Sequence, residues 1–107
     1  MVERNVKLFE RVFTTEGVRI THMVLAPGEE IPWHLHTFVR DTFYVMLGPL
    51  TILTREPDGE TNVEAGETFQ TRIGQPHRVT NRSARDVAVI LLQGIGEYDF
   101  RALPSIP

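Results

Sequence analysis

Residues 28–48 read GEEIPWHLHTFVRDTFYVMLG, and this stretch carries the strongest structural signal in the chain. Its second half contains Thr42–Leu47, a short β-branched and aromatic run that is typical of a strand. Its first half contains His34-Leu35-His36. Residues i and i+2 of a strand face the same side, about 6.6 Å apart. The stretch therefore predicts β-structure that presents two imidazoles on one face.

The rest of the chain shows the same two-residue period. Val87–Leu92 is a second apolar run, and Leu50, Ile52 and Thr54 alternate with their neighbours. No stretch of eleven or more residues carries the apolar stripe of a helix. Turn signals rich in Gly and Pro separate the runs at intervals of about 8–12 residues, which indicates an all-β sandwich or barrel.

One hairpin can be placed from its turn. Pro57-Asp58-Gly59 separates the strand-like stretches Leu50–Arg55 and Thr61–Glu64. Glycine adopts positive φ without steric cost, so we expect Gly59 to supply the reversed backbone of this turn. Residues 101–107, which end in PSIP, are expected to form a loose tail.

Composition excludes several classes of function. The 107 residues carry 11 Lys and Arg against 14 Asp and Glu without a basic block, so we expect no nucleic-acid partner. The absence of cysteine excludes disulfides, thiolate metal sites and a cysteine nucleophile. The longest apolar run, Val87–Leu92, is far below the ~20 residues that span a bilayer, and residues 1–13 lack a signal-peptide core. We expect a single cytoplasmic domain over residues 1–107 with no membrane partner.

Any metal ion would therefore bind through imidazole, carboxylate or carbonyl groups. The chain has four histidines, His22, His34, His36 and His77. The paired imidazoles can converge on one ion, although isolated pairs also occur as surface histidines. His77 follows a Gly-Gln-Pro turn, and Asp41 begins an apolar run on the same face as Phe43 and Val45. A buried carboxylate needs a partner, but Asp41 could instead be a solvated loop residue and His77 a packed strand residue.

Two spaced motifs resemble those of the cupin superfamily. The first motif of that family is G-x5-H-x-H-x3,4-E-x6-G, and a match runs from residue 28 to residue 48. Its marked positions are filled here by Gly28, His34, His36, Asp41 and Gly48. The single departure is Asp41, where the family usually has Glu.

The second cupin motif is G-x5-P-x-G-x2-H-x3-N, and a match runs from residue 66 to residue 81. Its marked positions are filled here by Gly66, Arg72, Gly74, His77 and Asn81. Arg72 departs from the usual Pro. The 17 residues between the motifs, Pro49–Ala65, fit the family's wide range.

The resemblance implies a double-stranded β-helix, a jelly-roll-like cupin barrel with its core at about residues 18–93. It also implies a homodimer and one divalent metal ion, held by His34, His36, the Asp41 position and His77. Fe(II), Mn(II), Ni(II), Zn(II) and Cu(II) all suit such a ligand set. Asp is one methylene shorter than Glu, so Asp41 either ligates directly or hydrogen-bonds to a ligand or to bound water.

Strand parity and position suggest the remaining site residues. Candidates for the substrate pocket are Trp33, Phe43, Val45, Arg72, Val79, Asn81 and Gln93. The apolar members of this set could equally be core, and Arg72 and Gln93 could be surface residues. Candidates that would help the chemistry are Asp41, His22 as a general base, and Tyr44.

Two functional hypotheses remain open from the sequence. The first is a metal-dependent enzyme that acts on a small organic molecule, either dioxygenase-like or an isomerase or cyclase that uses the metal as Lewis acid. The alternative is a non-catalytic cupin that binds or senses a small ligand, because fold does not determine function.

Overall fold

The computed structural model describes residues 6–104, and this part of the chain forms ten strands and no helix. The strands are β1 (Leu8–Thr14), β2 (Val18–Leu25), β3 (Glu30–Leu35), β4 (Arg40–Leu47), β5 (Leu50–Thr54), β6 (Gly59–Val63), β7 (Thr68–Gln70), β8 (His77–Thr80), β9 (Val87–Gly94) and β10 (Arg101–Ala102). A search of the same residues for a helix long and apolar enough to cross a membrane finds none.

The strands form two five-stranded antiparallel sheets. The first sheet has the order β1-β2-β9-β4-β7 and the second has the order β10-β3-β8-β5-β6. Strands that are distant in sequence lie side by side, since β9 pairs with both β2 and β4. The chain therefore crosses repeatedly between the sheets, and the predicted all-β double-stranded β-helix is confirmed.

The barrel interior is apolar at one end and polar at the other. The inner face of β4 runs from Asp41 through Phe43 to Val45, and the inner face of β9 runs from Gln93 down to Val87. Fully buried residues of both sheets fill the apolar end, namely Met23, Leu25, Val45, Leu50, Ile52, Val63, Val87 and Val89. Burial of these side chains stabilises the barrel and leaves the polar end free for a site.

The predicted hairpin forms, but its turn differs in detail. β5 and β6 pair from Leu50–Val63 to Thr54–Gly59, as the turn signal indicates. The reversed backbone lies at Glu56, with φ of 55°, and Gly59 instead begins β6. The expected tail also begins differently, because Arg101 and Ala102 form β10 and pair with β3. Residues 105–107 of that tail lie outside the described residues.

Candidate metal centre

Four polar side chains meet at the polar end of the barrel. His34 ends the inner face of β3, His36 follows that strand, Asp41 begins the inner face of β4 and His77 begins β8. His34 and His77 are directly opposite in the β3–β8 ladder. Each of the four residues is at most 3% exposed, and their ligand atoms all lie within 4.8 Å of one another.

A backbone carbonyl orients each of the three imidazoles. The carbonyls belong to Pro32, Asp99 and Gln75, and they lie 2.7, 2.5 and 2.9 Å from Nδ1 of His34, His36 and His77. A carbonyl oxygen only accepts hydrogen bonds, so each Nδ1 carries the proton. Because Nδ1 is protonated in all three rings, each Nε2 of the neutral imidazole keeps a free lone pair for a cation.

Asp41 is held between two of these imidazoles and an amide. Its Oδ2 lies 3.1 Å from Nε2 of His36 and 3.0 Å from Nε2 of His77. Its Oδ1 accepts a hydrogen bond from Nε2 of Gln93 at 2.9 Å. Its backbone N–H donates to Oγ1 of Thr71, so both ends of the residue are fixed.

The charges of this cluster fit a divalent cation. Because Nδ1 of His36 and His77 already donates to a carbonyl, Nε2 can donate to Asp41 only if the ring is a cation. Burial opposes protonation of His36 and is the largest single effect, yet the hydrogen bond to Asp41, the charge of that carboxylate and the interactions with Asp99 together outweigh burial and raise the pKa of His36. Burial lowers the pKa of His34 to about 3, so this ring stays neutral. A positive charge beside the Asp41 carboxylate is therefore favourable. A bound metal ion would supply that charge without protonation of the imidazoles.

Burial and hydrogen bonding also act on the carboxylate in opposite directions. Burial of Asp41 favours its neutral form, but hydrogen bonds from His36 and His77 hold its pKa below the usual range. The carboxylate is therefore ionised at neutral pH. An ionised oxygen and three imidazole nitrogens form a donor set that suits a first-row divalent metal.

Two aromatic rings from the C-terminal segment cover the cluster, and we call Tyr98 and Phe100 the roof. The Phe100 ring stacks on the His34 imidazole with centroids 4.4 Å apart and planes 16° apart. The Tyr98 ring lies 5.4 Å from that of His36 and also carries the Arg19 guanidinium 3.6 Å from its centroid. The cavity below is lined by Phe9, Ile31, His34, His36, Asp41, Phe43, Val79, Leu91, Gln93, Tyr98 and Phe100.

Three of the residues predicted for the pocket line this cavity. Phe43, Val79 and Gln93 point into it beside the four donors. Val45 shares the inner face of β4 but lies deeper, fully buried in the apolar core. The prediction that Val45 lines the pocket is therefore corrected to a core position.

Trp33 and Arg72 lie elsewhere. Trp33 belongs to a crevice on the outer side of the second sheet, where the Arg55 guanidinium sits 4.4 Å from its ring centroid. The ladder between β3 and β8 is irregular between Ile31 and His34, and this bulge turns Trp33 outward while His34 stays inward. Arg72 is exposed in the turn before β8 and does not line the cavity.

Asn81 holds a turn at the opposite end of the barrel. Its Nδ2 donates to the carbonyls of Leu25 and Arg85 at 2.9 and 2.7 Å, and its Oδ1 accepts from the Ser83 N–H at 2.9 Å. Asn81 shares parity with His77, but four residues of strand carry it about 13 Å away. Asn81 therefore has a structural role, and the prediction that it lines the pocket is corrected.

His22 and Tyr44 face away from the site. Their neighbours Thr21, Met23, Phe43 and Val45 turn inward, so His22 and Tyr44 occupy the outer face of the first sheet. Tyr44 is 46% exposed there. The structure therefore does not bring either residue to the cluster, and their proposed help in catalysis is corrected.

Sequence reasoning does not identify Tyr98 and Phe100 of the roof or the Asp99 carbonyl that orients His36. Tyr98 and Phe100 alternate with the polar residues Glu97, Asp99 and Arg101 after the Gly94-Ile95-Gly96 turn. That two-residue period was a usable sign of one apolar face. The resemblance places the barrel core at about residues 18–93 and therefore assigns this segment no part in the site.

Comparison with known proteins agrees with this geometry. The family model described as a cupin domain matches residues 21–93, which is more than half of the chain. The chain belongs to the cupin family. This cupin is also 36% identical over 61 residues to the tetracenomycin polyketide synthase protein TcmJ of Streptomyces glaucescens. The match covers 57% of the chain and 40% of the relative, so the matched segment spans less than half the length of TcmJ.

Solved structures share the fold at low sequence identity. An uncharacterised conserved protein of Klebsiella pneumoniae with a double-stranded β-helix domain has a TM-score of 0.78 at 22% identity, covering 97% of this cupin and 96% of that chain. Oxalate oxidase in complex with the substrate analogue glycolate has a TM-score of 0.79 at 21% identity, covering 97% of this cupin and 62% of that chain. At such identities the likeness concerns the fold alone.

Proposed function

We propose that this cupin binds one divalent metal ion through His34, His36, His77 and Asp41 and uses it to transform a small organic molecule. The observation that carries the proposal is the shared orientation of the three imidazoles, each of which donates Nδ1–H to a carbonyl and turns Nε2 to the centre. A packed or surface histidine has no need of this arrangement, whereas a metal ligand does.

Asp41 is proposed as the fourth ligand. Its Oδ2 already lies at the centre of the cluster, and Gln93 holds the other oxygen. The shorter side chain of Asp is accommodated because the carboxylate reaches the nitrogens of His36 and His77 at 3.1 and 3.0 Å. Its negative charge would partly neutralise a divalent ion in a site that excludes water.

The residues of the chain would bind, orient and shield the substrate. When bound, the metal would supply Lewis-acid or redox chemistry at this site. Gln93 holds the Asp41 carboxylate in place, so the carboxylate cannot rotate away from the imidazoles. The apolar side chains of Phe43, Val79 and Leu91 exclude water and strengthen the electrostatic interactions of the site.

The comparisons favour enzymatic chemistry of two kinds. TcmJ is a tetracenomycin polyketide synthase protein, which suits an isomerase or cyclase acting on a small carbonyl compound. Oxalate oxidase is a redox enzyme of the same fold, which suits a dioxygenase-like reaction. A second candidate function is ligand binding without turnover, and the tightly covered cavity favours it because exchange of substrate and product is restricted.

Metal analysis tests the site directly. We expect near-stoichiometric metal in protein purified without a metal-binding tag, measured by elemental analysis. His34→Ala and His77→Ala should each lose it, because each removes one of four ligands. The matched control is His22→Ala on the outer face, which should keep the metal. Unchanged metal content in the first two variants, or equal loss in the control, would overturn the assignment.

Turnover assays separate the candidate reactions. Oxygen uptake with an acyclic β-diketone, compared with a catechol and a flavonol as ring-sized compounds, tests the dioxygenase-like reaction. Mass-neutral conversion of one of these compounds, followed by NMR, tests the isomerase or cyclase. If the metal-loaded protein binds several of these compounds and alters none, ligand binding without turnover is the function.

We also propose a homodimer formed by the outer face of the first sheet. This apolar face consists of Leu8, Phe13, Ile20, Val24, Tyr44, Met46, Ile90 and Leu92. Leu92 and Phe13 are 41% and 51% exposed, although large apolar side chains are costly to leave in water. The outer face of the second sheet is different, since ion pairs such as Glu30–Arg78 cover it.

A second copy of the chain suits this face in charge and size. Its charged residues are few and of both signs, Glu10 and Arg40, so two copies would meet without net repulsion. The five strands are up to eight residues long and give a flat area of about 600 Å² per copy. Side chains that project from the sheet increase this area. Specific interfaces bury about 600–1,000 Å² per partner, so the area of this face lies at the lower end of that range.

Light scattering after size exclusion tests the dimer. We expect twice the chain mass of 12.2 kDa for the unmodified protein and the monomer mass for Leu92→Glu. Leu53→Glu on the outer face of the second sheet is the matched control and should remain a dimer. A monomeric unmodified protein, or a monomer only in the control, would contradict the proposed interface.

A further inference from the structure

We propose that Phe100 sets the size of ligand that reaches the metal position, admitting ligands of a few atoms and excluding ring-sized ones. The inference rests on the proposed metal site. It concerns the roof, which lies outside the residues that the family model matches. Its basis is the position of the Phe100 ring between that site and the exterior.

The Phe100 ring occupies space that a ring-shaped ligand would need. It stacks on the His34 imidazole at 4.4 Å, which is direct contact between ring faces. Its centroid is 6.0 Å from that of His36, with the planes at 64°. Phe100 therefore covers one face of the His34 imidazole and makes an edge contact with His36, so another planar group cannot lie against that face of His34.

The remaining space is small. The space around the cluster measures about 290 Å³ only when the open solvent at its mouth is included. The enclosed part has room for about one water molecule. A ligand of the size of a water molecule fits this space, and a linear ligand such as azide can extend from it through the opening, whereas a bicyclic ligand cannot enter.

The backbone of this segment is held without help from the Phe100 ring. The Asp99 carboxylate accepts hydrogen bonds from the N–H and Oγ1 of Thr37 at 2.7 and 2.6 Å. The Asp99 carbonyl accepts from His36, and Leu103 N–H donates to the Trp33 carbonyl at 2.9 Å. Removing the ring should therefore open a space and leave the chain in place, so Phe100→Ala is an informative variant.

Replacing Phe100 by Ala should leave a ring-sized void next to His34. Engineered apolar cavities of ring size bind benzene in other proteins, and the wall of this void opposite His34 is apolar. The void would adjoin the Nε2 atoms that face the metal position. A bicyclic nitrogen ligand such as benzimidazole could then reach the metal in the variant, and it could not in the unmodified protein.

Spectroscopic titration of the Co(II)-loaded protein tests the inference. Azide and benzimidazole are titrated separately, and the Co(II) ligand-field bands report binding. We expect benzimidazole to bind Phe100→Ala at least about tenfold more tightly than the unmodified protein, and the azide dissociation constant to change less than about threefold. Phe38→Ala is the matched control, because Phe38 is 53% exposed and does not line the cavity.

The outcomes separate this inference from the proposed function. Equal benzimidazole affinity in all three proteins, or azide binding only in Phe100→Ala, would overturn the size limit. Absence of Co(II) bands in every protein would instead refute the metal site. Benzene binding to the metal-free proteins, followed by NMR, then still tests Phe100. The benzene should bind only the Phe100→Ala protein, and binding to neither protein or to both would overturn the inference.

Discussion

Replacing Asp41 by Asn is the substitution that most directly tests the charge of the site. The change keeps the size of the side chain and removes one negative charge from a residue that is 1% exposed. The amide oxygen can still accept from Gln93, as Oδ1 does now at 2.9 Å. The amide nitrogen would then face the Nε2 atoms of His36 and His77, where Oδ2 now lies.

The expected loss follows from these contacts. The carboxylate is the only anionic member of the four-residue cluster, and an amide nitrogen cannot ligate a metal. Removing a residue that merely orients a ligand costs about 10- to 100-fold in metal affinity. Loss of a ligand together with its charge should exceed about 100-fold, or about 2.7 kcal/mol. Metal-free stability should fall by only about 1 kcal/mol, because the hydrogen bond with Gln93 remains.

Competition with a chromophoric chelator measures the first quantity, and urea denaturation of metal-free protein measures the second. Asp58→Asn is the matched control, since Asp58 is exposed in the β5–β6 turn. It should change neither quantity. A metal affinity within threefold of the unmodified protein would refute the reasoning and remove Asp41 from the ligand set.

Three further predictions concern parts of the barrel around the site. Gln93→Leu should lower metal affinity about tenfold without loss of fold, because it frees the Asp41 carboxylate to rotate, and chelator competition measures this. Asn81→Ala should lower the unfolding free energy by about 2–4 kcal/mol with metal content unchanged, because two carbonyls lose their donor, and urea denaturation with metal analysis measures both. Chelation of the metal should lower the melting temperature, since a ligand at 100 times its dissociation constant adds about 2.7 kcal/mol, and calorimetry with and without chelator shows the difference.

Strand geometry accounts for the proximity of the four side chains that the sequence singles out as candidate metal ligands. Alternate residues of a strand share a face, so His34 and His36 lie together once that segment is extended. The turn before His77 and the register of β3 with β8 bring His77 opposite His34. These relations depend on short segments and on spacing, which a sequence displays directly.

Parity alone could not predict how far along the barrel a side chain lies. Val45 and Asn81 share a face with Asp41 and His77, yet each is four residues along its strand. The cavity does not extend four residues along these strands, and the barrel interior at that depth is filled by packed core side chains. The bulge in β3 further shows that one irregular residue reverses the expected side, as it does for Trp33.

The outer face of the first sheet explains the error at His22. Both faces of β2 carry apolar side chains, since Met23 and Leu25 point inward while Ile20 and Val24 point outward. Alternation of apolar and polar residues identifies the buried face only when the other face is polar. A sheet whose outer face is itself apolar removes that contrast, and the sequence alone cannot determine which face a histidine occupies.

The proposed metal-binding residues lie in the segment that matches the family model, whereas several residues that cover the site lie in the segments that flank it. The matched residues 21–93 contain all four donors together with Gln93. Phe9, Tyr98 and Phe100 line the same cavity from outside that range, and the Asp99 carbonyl that orients His36 also lies outside it. Long-range packing brings them there, across 63 residues between His36 and Asp99. Metal affinity should therefore depend mainly on the core, whereas ligand size should depend on flanking residues that can change without disturbing the donors.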